Sequence, residues 1–338
     1  MRFHMHLLPT YFPDRMSPFE GYYREVLEEV ALAEELGWEC FWFTEHHFLP
    51  YGGAIPNPAG FLSAAAARTS TIRLGSAISI LPLHHAVQIA EDYAMVDAIS
   101  GGRLEFGIGL GNTAIDFQVF GVDREESRAR FEESIEIILK AWTRDRWSHD
   151  GAFWQMQDVS VFPRPVQQPH PPIWVAGVSP ESLGWAGRHG CNIMTVAHSF
   201  PPEAYVPGIA AWRAGIEETG SDPRNFHCKL HLRVWVDEDS ERARTVAEAA
   251  IAQYEHVATV GRERRIPKPP GPYDWAGMLA SGRNAYGTPE ECIRAIQNTL
   301  RNYEFDILST TFNYGGIPHD QVMAAMRLFA REVMPAFA

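Results

Sequence analysis

Residues 43–50, FTEHHFLP, place an acid, two adjacent imidazoles and an aromatic ring directly after an apolar run. Imidazole titrates near neutrality, so a histidine in such a stretch can move a proton or ligate a metal, or it can close the end of a buried strand. A metal centre needs several convergent donors. His84, His85, His198 and His231 are scattered, and none forms an HExxH-type spacing, so no metal is expected. Proton transfer needs one imidazole facing a cavity. If residues 39–48 form a strand, alternation sends His46 and His47 to opposite faces, and only one of them faces inward. At the C-terminal end of a barrel strand, His46 becomes the acid/base candidate.

Two further stretches could meet a ligand. FGIGLGN (106–112) follows an apolar run, but its GxGxG spacing displaces the third glycine of a dinucleotide fingerprint, and earlier βα units precede it. A glycine-rich barrel loop that lets backbone approach a ligand is the better description. In VAGVSPESL (175–183) a strand ends at Gly177 and a helix starts near Ser179 and Pro180. Ser before Pro is an ordinary N-cap, and the same geometry presents N–H groups and two hydroxyls to an anion. The sharper expectation is a phosphate-bearing cofactor.

The elements that must position these residues alternate. An amphipathic helix over 20–36 stops at Gly37, and the aromatic run ECFWFTEHHF suits a parallel strand buried on both faces. Helices over 58–69, 85–99 and 124–143 alternate with strands at 72–81 and 103–111. Further strands are expected at 171–177, 192–197, 227–236 and 305–312, and with residues 2–8 the count reaches eight. Eight βα units predict an α/β (β/α)8 TIM barrel spanning 1–338 as one domain. Two insertions interrupt it: a hairpin-like segment at about 147–170, and a Gly/Pro-dense loop at about 255–286, with Trp275 and Tyr286, suited to close over the barrel mouth.

Composition narrows the partners. A net charge of −13 without a long basic run argues against nucleic acid, and 46% hydrophobic residues can fill a large core. Cys40, Cys191, Cys228 and Cys292 form no CxxC and read as reduced, buried thiols. No stretch reaches the length of a membrane helix and no leader is visible, so a cytoplasmic location without membrane contact is expected.

Several motifs taken together resemble one family. They are EHHF followed by NP (Glu45–Phe48, Asn57, Pro58), LPLHHAVQIAEDYAMVDAISGGR (81–103), DFQVFGVDREESRARFEE (116–133), YGTPEECIRAI (286–296) and REVMPAF (331–337). The chain resembles the bacterial luciferase-like flavin monooxygenases, most nearly the luciferase alpha-subunit type. The resemblance implies a barrel that uses O2 and reduced FMN, delivered as FMNH2 by a separate flavin reductase. It also implies insertion of one oxygen into a small lipophilic substrate through a flavin C4a-hydroperoxide. His46 matches the active-site histidine of the family. Ala77 and Ile78 match the pair flanking an unusual cis peptide beneath the flavin. Ser179 and Ser182, after Gly177 and Val178, match the phosphate-binding stretch, and Asn112 matches a backbone contact to the isoalloxazine edge.

Three positions depart from the luciferase pattern: Leu110 replaces an arginine for the phosphate, Gly109 a reactive cysteine and Val178 a glutamate. Relatives on this barrel also include deazaflavin-dependent oxidoreductases and a non-catalytic flavin-binding subunit, which stand as alternatives. A homodimer is expected through the early helices, with Ile89, Tyr93, Val96 and Ile99 as an apolar stripe. Phe12, Phe48 and Phe312 are candidates for an apolar mouth.

Overall fold

The computed structural model describes residues 1–197, 201–263 and 283–338. The first half contains β1 (Arg2–Leu7), α1 (Phe19–Leu36), β2 (Cys40–Phe43), α2 (Pro58–Ala66), β3 (Arg73–Ser76) and a two-residue β4 (Ser79–Ile80). It continues with α3 (Ala86–Ser100), β5 (Leu104–Gly109), α4 (Ala114–Phe120), α5 (Ser127–Thr143) and the strands β6 (Trp147–Asp150) and β7 (Gln155–Val159). The second half holds β8 (Ile173–Ala176), α6 (Pro180–Arg188), β9 (Asn192–Val196), α7 (Pro202–Glu218), β10 (Cys228–Val236) and α8 (Ser240–Glu263). After these come β11 (Ala285–Gly287), α9 (Pro289–Asn302), β12 (Ile307–Thr311) and α10 (His319–Glu332).

Eight strands close a parallel ring in the order β1, β2, β3, β5, β8, β9, β10, β12 and back to β1. This is the (β/α)8 barrel expected from the alternation. The ring closes where Arg2 pairs with Ile307 and Met5 with Thr310. β2 is CFWF and every residue of it is buried, as a strand covered on both faces requires. Helix ends follow local chemistry: Asn57 caps α2 by accepting from the Gly60 amide at 2.9 Å, and Thr288 and Glu291 form a reciprocal capping box at α9. The core has two layers. Phe41, Phe43, Phe106, Ile138 and Trp142 belong to the main cluster, and Trp42, Trp174, Met194 and Ile307 to a second one facing the barrel axis. All four cysteines are buried and free, and among the described residues no helix is long and apolar enough to cross a membrane.

The insertion after α5 is the expected antiparallel hairpin, β6 with β7. The loop expected over 255–286 is different at its flanks: α8 continues to Glu263, and Tyr286 lies in β11, paired with Trp235. The rest of that loop, with Trp275, lies outside the described residues, as does His198. The second strand stops at Phe43 rather than running to residue 48. Ile89, Tyr93 and Val96 of the α3 stripe are buried in the chain's own core, which leaves only Ile99 of the four exposed. That stripe packs inside the protein, so it is not a free face for a second copy. Phe312 and Phe12 are likewise core residues, Phe48 is exposed, and none of the three lines the cavity at the barrel mouth.

Candidate functional site

A cavity of ≈ 450 Å³ opens among the C-terminal ends of the strands. Its wall takes residues from the turns after β1, β2, β3, β5, β8 and β12, the face where barrels of this type carry their chemistry. His46, Ala77, Ile78, Asn112, Gly177, Val178 and Ser182 all line it; Ser179 does not.

His46 is half-buried on this wall, its ring edge-on to Tyr51 at 5.7 Å. It sits above Gly52, whose φ is +75°, and a Cβ built there would stand 2.5 Å from His46 Cδ2. Glycine is therefore required at 52 for the imidazole to lie where it does. His47 turns the other way and is buried. Because β2 has already ended, strand pleating is not what separates the two histidines. The divider is Glu45. Its Oε1 accepts from His47 Nε2 at 2.9 Å and from His84 Nε2 at 2.7 Å, and Oε2 accepts from the Ile80 amide at 3.1 Å. Burial alone would raise the Glu45 carboxyl, but the bonds from His47 and His84 outweigh it and hold the group at about 2. His84 rises in turn: burial lowers it, but the bond to Glu45 and the charges of Glu45 and Asp92 together outweigh that.

The donor atoms of Glu45, His47 and His84 lie within 4.8 Å of one another, close enough to share a cation. Both imidazoles already bond to one carboxylate oxygen, which makes the trio a clamp on the 45–48 turn. Sequence reasoning missed this use of Glu45 and His84. The two are 39 positions apart, and only the barrel register brings them together.

The turn after β3 carries a cis peptide between Ala77 and Ile78, on the cavity wall. Ser76 fixes its entry: the hydroxyl donates to Gly107 O at 2.8 Å and accepts from Gly107 N at 3.0 Å. Opposite it, a side chain on Gly109 would meet Ile78 Cδ1 at 2.2 Å. Ile78 fills the space that a residue larger than glycine would occupy at 109, so the departure at Gly109 and the bulk of Ile78 are complementary.

At the other end, α6 begins with Ser179 as N-cap, its Oγ accepting from Ser182 N at 3.3 Å. The Ser179 oxygen caps the helix, its O–H remains able to donate, and the residue does not line the cavity. Ser182 Oγ faces the cavity and accepts from Arg128 Nη2 at 2.8 Å. Arg128, in the first turn of α5, also lines the cavity. It restores a guanidinium where Leu110 lacks one, and the sequence signal for it was only its place in the 116–133 motif. A helix N-terminus, a guanidinium and a hydroxyl are groups that could hold a phosphate. The apolar Ala77–Ile78 wall and the glycines at 109 and 111 offer a surface for a planar ring, so the residues present fit FMN.

On the side facing β10, the rings of His6 and His231 lie with centroids 4.3 Å apart, tilted at 36° to one another, and His6 Nε2 lies 3.0 Å from Thr44 Oγ1. Deeper in the barrel Trp42 Nε1 donates to His4 Nδ1 at 3.0 Å, and Trp174 Nε1 to Glu105 at 2.5 Å.

Comparison with known proteins agrees with this geometry. Residues 1–305 match the family described as luciferase-like monooxygenase. The oxygenase component of flavin-dependent trigonelline monooxygenase from Acinetobacter baylyi is 36% identical over 336 residues, covering 94% of this chain and 90% of that protein. The crystal structure of monooxygenase RslO1 from Streptomyces bottropensis is 30% identical, with a TM-score of 0.92 and full coverage of both chains. The oxygenating constituent of 3,6-diketocamphane monooxygenase from Pseudomonas putida, solved with FMN, shares the fold at a TM-score of 0.83, with 19% identity and coverage of 99% and 98%. The family match and the relative that covers nearly the whole chain thus place it among the flavin-dependent monooxygenases. The chain belongs to the luciferase-like monooxygenase family.

Proposed function

We propose that this chain is the oxygenating half of a two-component system. A separate reductase delivers FMNH2, and the chain inserts one atom of O2 into a small organic substrate that presents an apolar body to the cavity. Supporting the cofactor choice is the pairing of Arg128 with Ser182 at the start of α6, which suits the FMN phosphate. The A. baylyi relative is named as an oxygenase component, which supports a reductase as partner. Reduced FMN, when bound, supplies the electrons that activate O2.

The chain's own residues do the rest. Ser182, Arg128 and the N-terminus of α6 hold the phosphate, the Ala77–Ile78 wall and the Gly177–Val178 turn seat the ring, and the Asn112 backbone meets its edge. Leu8, Ile78, Ile80, Leu110, Val175 and Val178 keep water from the reacting centre. His46, the observation that carries the reading, stands on the cavity wall and takes or returns the proton of oxygen activation at an imidazole nitrogen. Two copies pair through the early helices, where Met95 and Ile99 of α3 remain exposed, and the assembly works in the cytoplasm.

The test is anaerobic loading with FMNH2, addition of O2, and mass spectrometry over a panel of small substrates. One oxygen atom from 18O2 in a product supports the reading. Hydride transfer from a reduced deazaflavin without O2 would replace it, and light scattering that returns a monomer mass would remove the pairing.

A further inference from the structure

The molecule carries a net charge of −13, yet its cavity wall is basic. Alternate residues of a strand share a face, and Lys229, His231 and Arg233 of β10 all point to the cavity, each buried at 1%, 5% and 5% exposure. Counting Arg128, the described wall has three Lys or Arg side chains, Arg128, Lys229 and Arg233, and only one acid, Glu45. That acid is occupied by His47, His84 and the Ile80 amide. Phosphate binding accounts for Arg128, at the far end beside Ser182. It does not account for β10.

Lys229 is the sharpest member of the row. Its Nζ has no hydrogen-bond partner among the described residues. It rests over the face of Trp42, 4.0 Å from the ring centroid, a contact that satisfies none of the three N–H donors of an ammonium. Glu105, the nearby carboxylate, is held by Arg73 and Trp174 instead. A buried amine without an acceptor is costly when charged, and burial pulls this one down to about 7. An acceptor brought by a ligand would complete it.

We propose that the inner end of the cavity binds a carboxylate carried by the substrate, with Lys229 as its principal partner and His231 and Arg233 lining its way in. This rests on the monooxygenase reading and narrows the substrate to an amphipathic organic acid, with its acid group toward β10 and its apolar part toward His46 and Ile78. Reduced flavin is a second source of negative charge in the same cavity, so the test uses oxidised FMN, whose ring is neutral.

Binding of the anion returns a proton to Lys229. The ionisable groups facing it are His4 from β1, Cys40 from β2, Glu105 from β5 with Arg73 from β3 behind it, and His231 from its own strand. Burial pushes His4 and His231 down and Cys40 up, so none of these three changes charge at pH ~8, where Lys229, lowered by burial to about 7, starts largely neutral and takes up its proton as the anion binds.

The probes are benzoate and benzamide, equal in shape and different in charge, titrated calorimetrically into protein loaded with oxidised FMN at pH ~8. Benzoate should bind at least ~10-fold more tightly than benzamide with FMN retained, and its heat should vary with the ionisation enthalpy of the buffer. Lys229→Met should bring benzoate to the benzamide level and abolish the buffer dependence, which a merely structural lysine would not govern. Where that variant does not fold, Lys229→Gln and the buffer dependence of the wild type decide. Equal affinity for the two probes, displacement of FMN by benzoate, or an undiminished preference in Lys229→Met would overturn the proposal. A chain that takes up neither oxidised FMN nor, anaerobically, FMNH2 overturns the monooxygenase reading instead, and the same probe pair on that chain still decides the anion site.

Discussion

Glu45 and His84 meet at 2.7 Å through a carboxylate that is buried among the turns of the barrel mouth and shared with His47. The carboxyl is depressed from 4.5 to about 2, so its stabilisation is fully present above pH 4.5 and is lost as the pH falls toward 2. The raised His84 adds a term present below 6.5 that is lost as the pH rises through its folded-state value. Glu45→Gln should remove both slopes and cost on the order of 3 kcal/mol near neutrality. Chemical denaturation of the two proteins from pH ~3 to ~8 measures this, and a constant difference across that range would refute it. A chelator should leave fold and FMN affinity unchanged, whereas stoichiometric metal in the purified protein would make the trio a ligand set.

His46 and His47 should separate cleanly. His46→Ala should fold and bind FMN within about two-fold of the wild type, while product formed per O2 consumed drops by roughly 10-fold or more. His47→Ala should lose stability first, because it strips a bond from the clamp. Oxygen-electrode and product assays on both variants, beside their melting curves, decide the matter; normal coupling in His46→Ala would remove its catalytic assignment.

The two serines of α6 also have different work. Ser182→Ala should weaken FMN binding by about 1.5–3 kcal/mol, and Arg128→Gln by at least as much. Ser179→Ala should cost ~1 kcal/mol of stability through the lost N-cap, with little change in FMN affinity. Calorimetric FMN titration set against thermal melts separates them. Equal FMN losses in both serine variants would return the Ser179 hydroxyl to the phosphate.

Gly109 and Ile78 should be coupled. Gly109→Ala alone forces a contact of 2.2 Å with Ile78 Cδ1 and should destabilise by ~1–3 kcal/mol. Combined with Ile78→Ala, much of that loss should return, giving an interaction energy above ~0.5 kcal/mol in a denaturation cycle. Additive losses would mean that the two side chains do not compete for the space.

The eight barrel strands were legible because each is an apolar run between helical patterns with clear stops, such as Gly37. The end of β2 was not. Residues 44–48 continue the aromatic character of the strand, and the turn there is made by the bonds of Glu45 to partners in another βα unit. The α3 stripe misled for a related reason: helical spacing identifies an apolar face but not which surface covers it. The cis peptide at Ala77–Ile78 followed from the motif resemblance and the cavity position of His46 from its place at the mouth end of a strand as well, while the choice between Ser179 and Ser182 needed side-chain direction. β10 offers a further lesson. Lys, His and Arg alternate along KLHLRV, a pattern that in most sheets marks a face turned to water. In a closed ring the same alternation points to the interior.

The seam between β1 and β12 has a bearing on how the protein is made. Pairing of Arg2 with Ile307 cannot form until some 300 residues have left the ribosome, roughly 15–60 s after the first strand at ordinary elongation rates. Any sheet formed before then lacks this closing pair, and its unpaired edges would be open to a strand from a neighbouring chain. Cold or slow expression, which gives each open sheet time to wait without crowding by others, should therefore improve the yield of soluble protein more than any substitution at the mouth of the barrel.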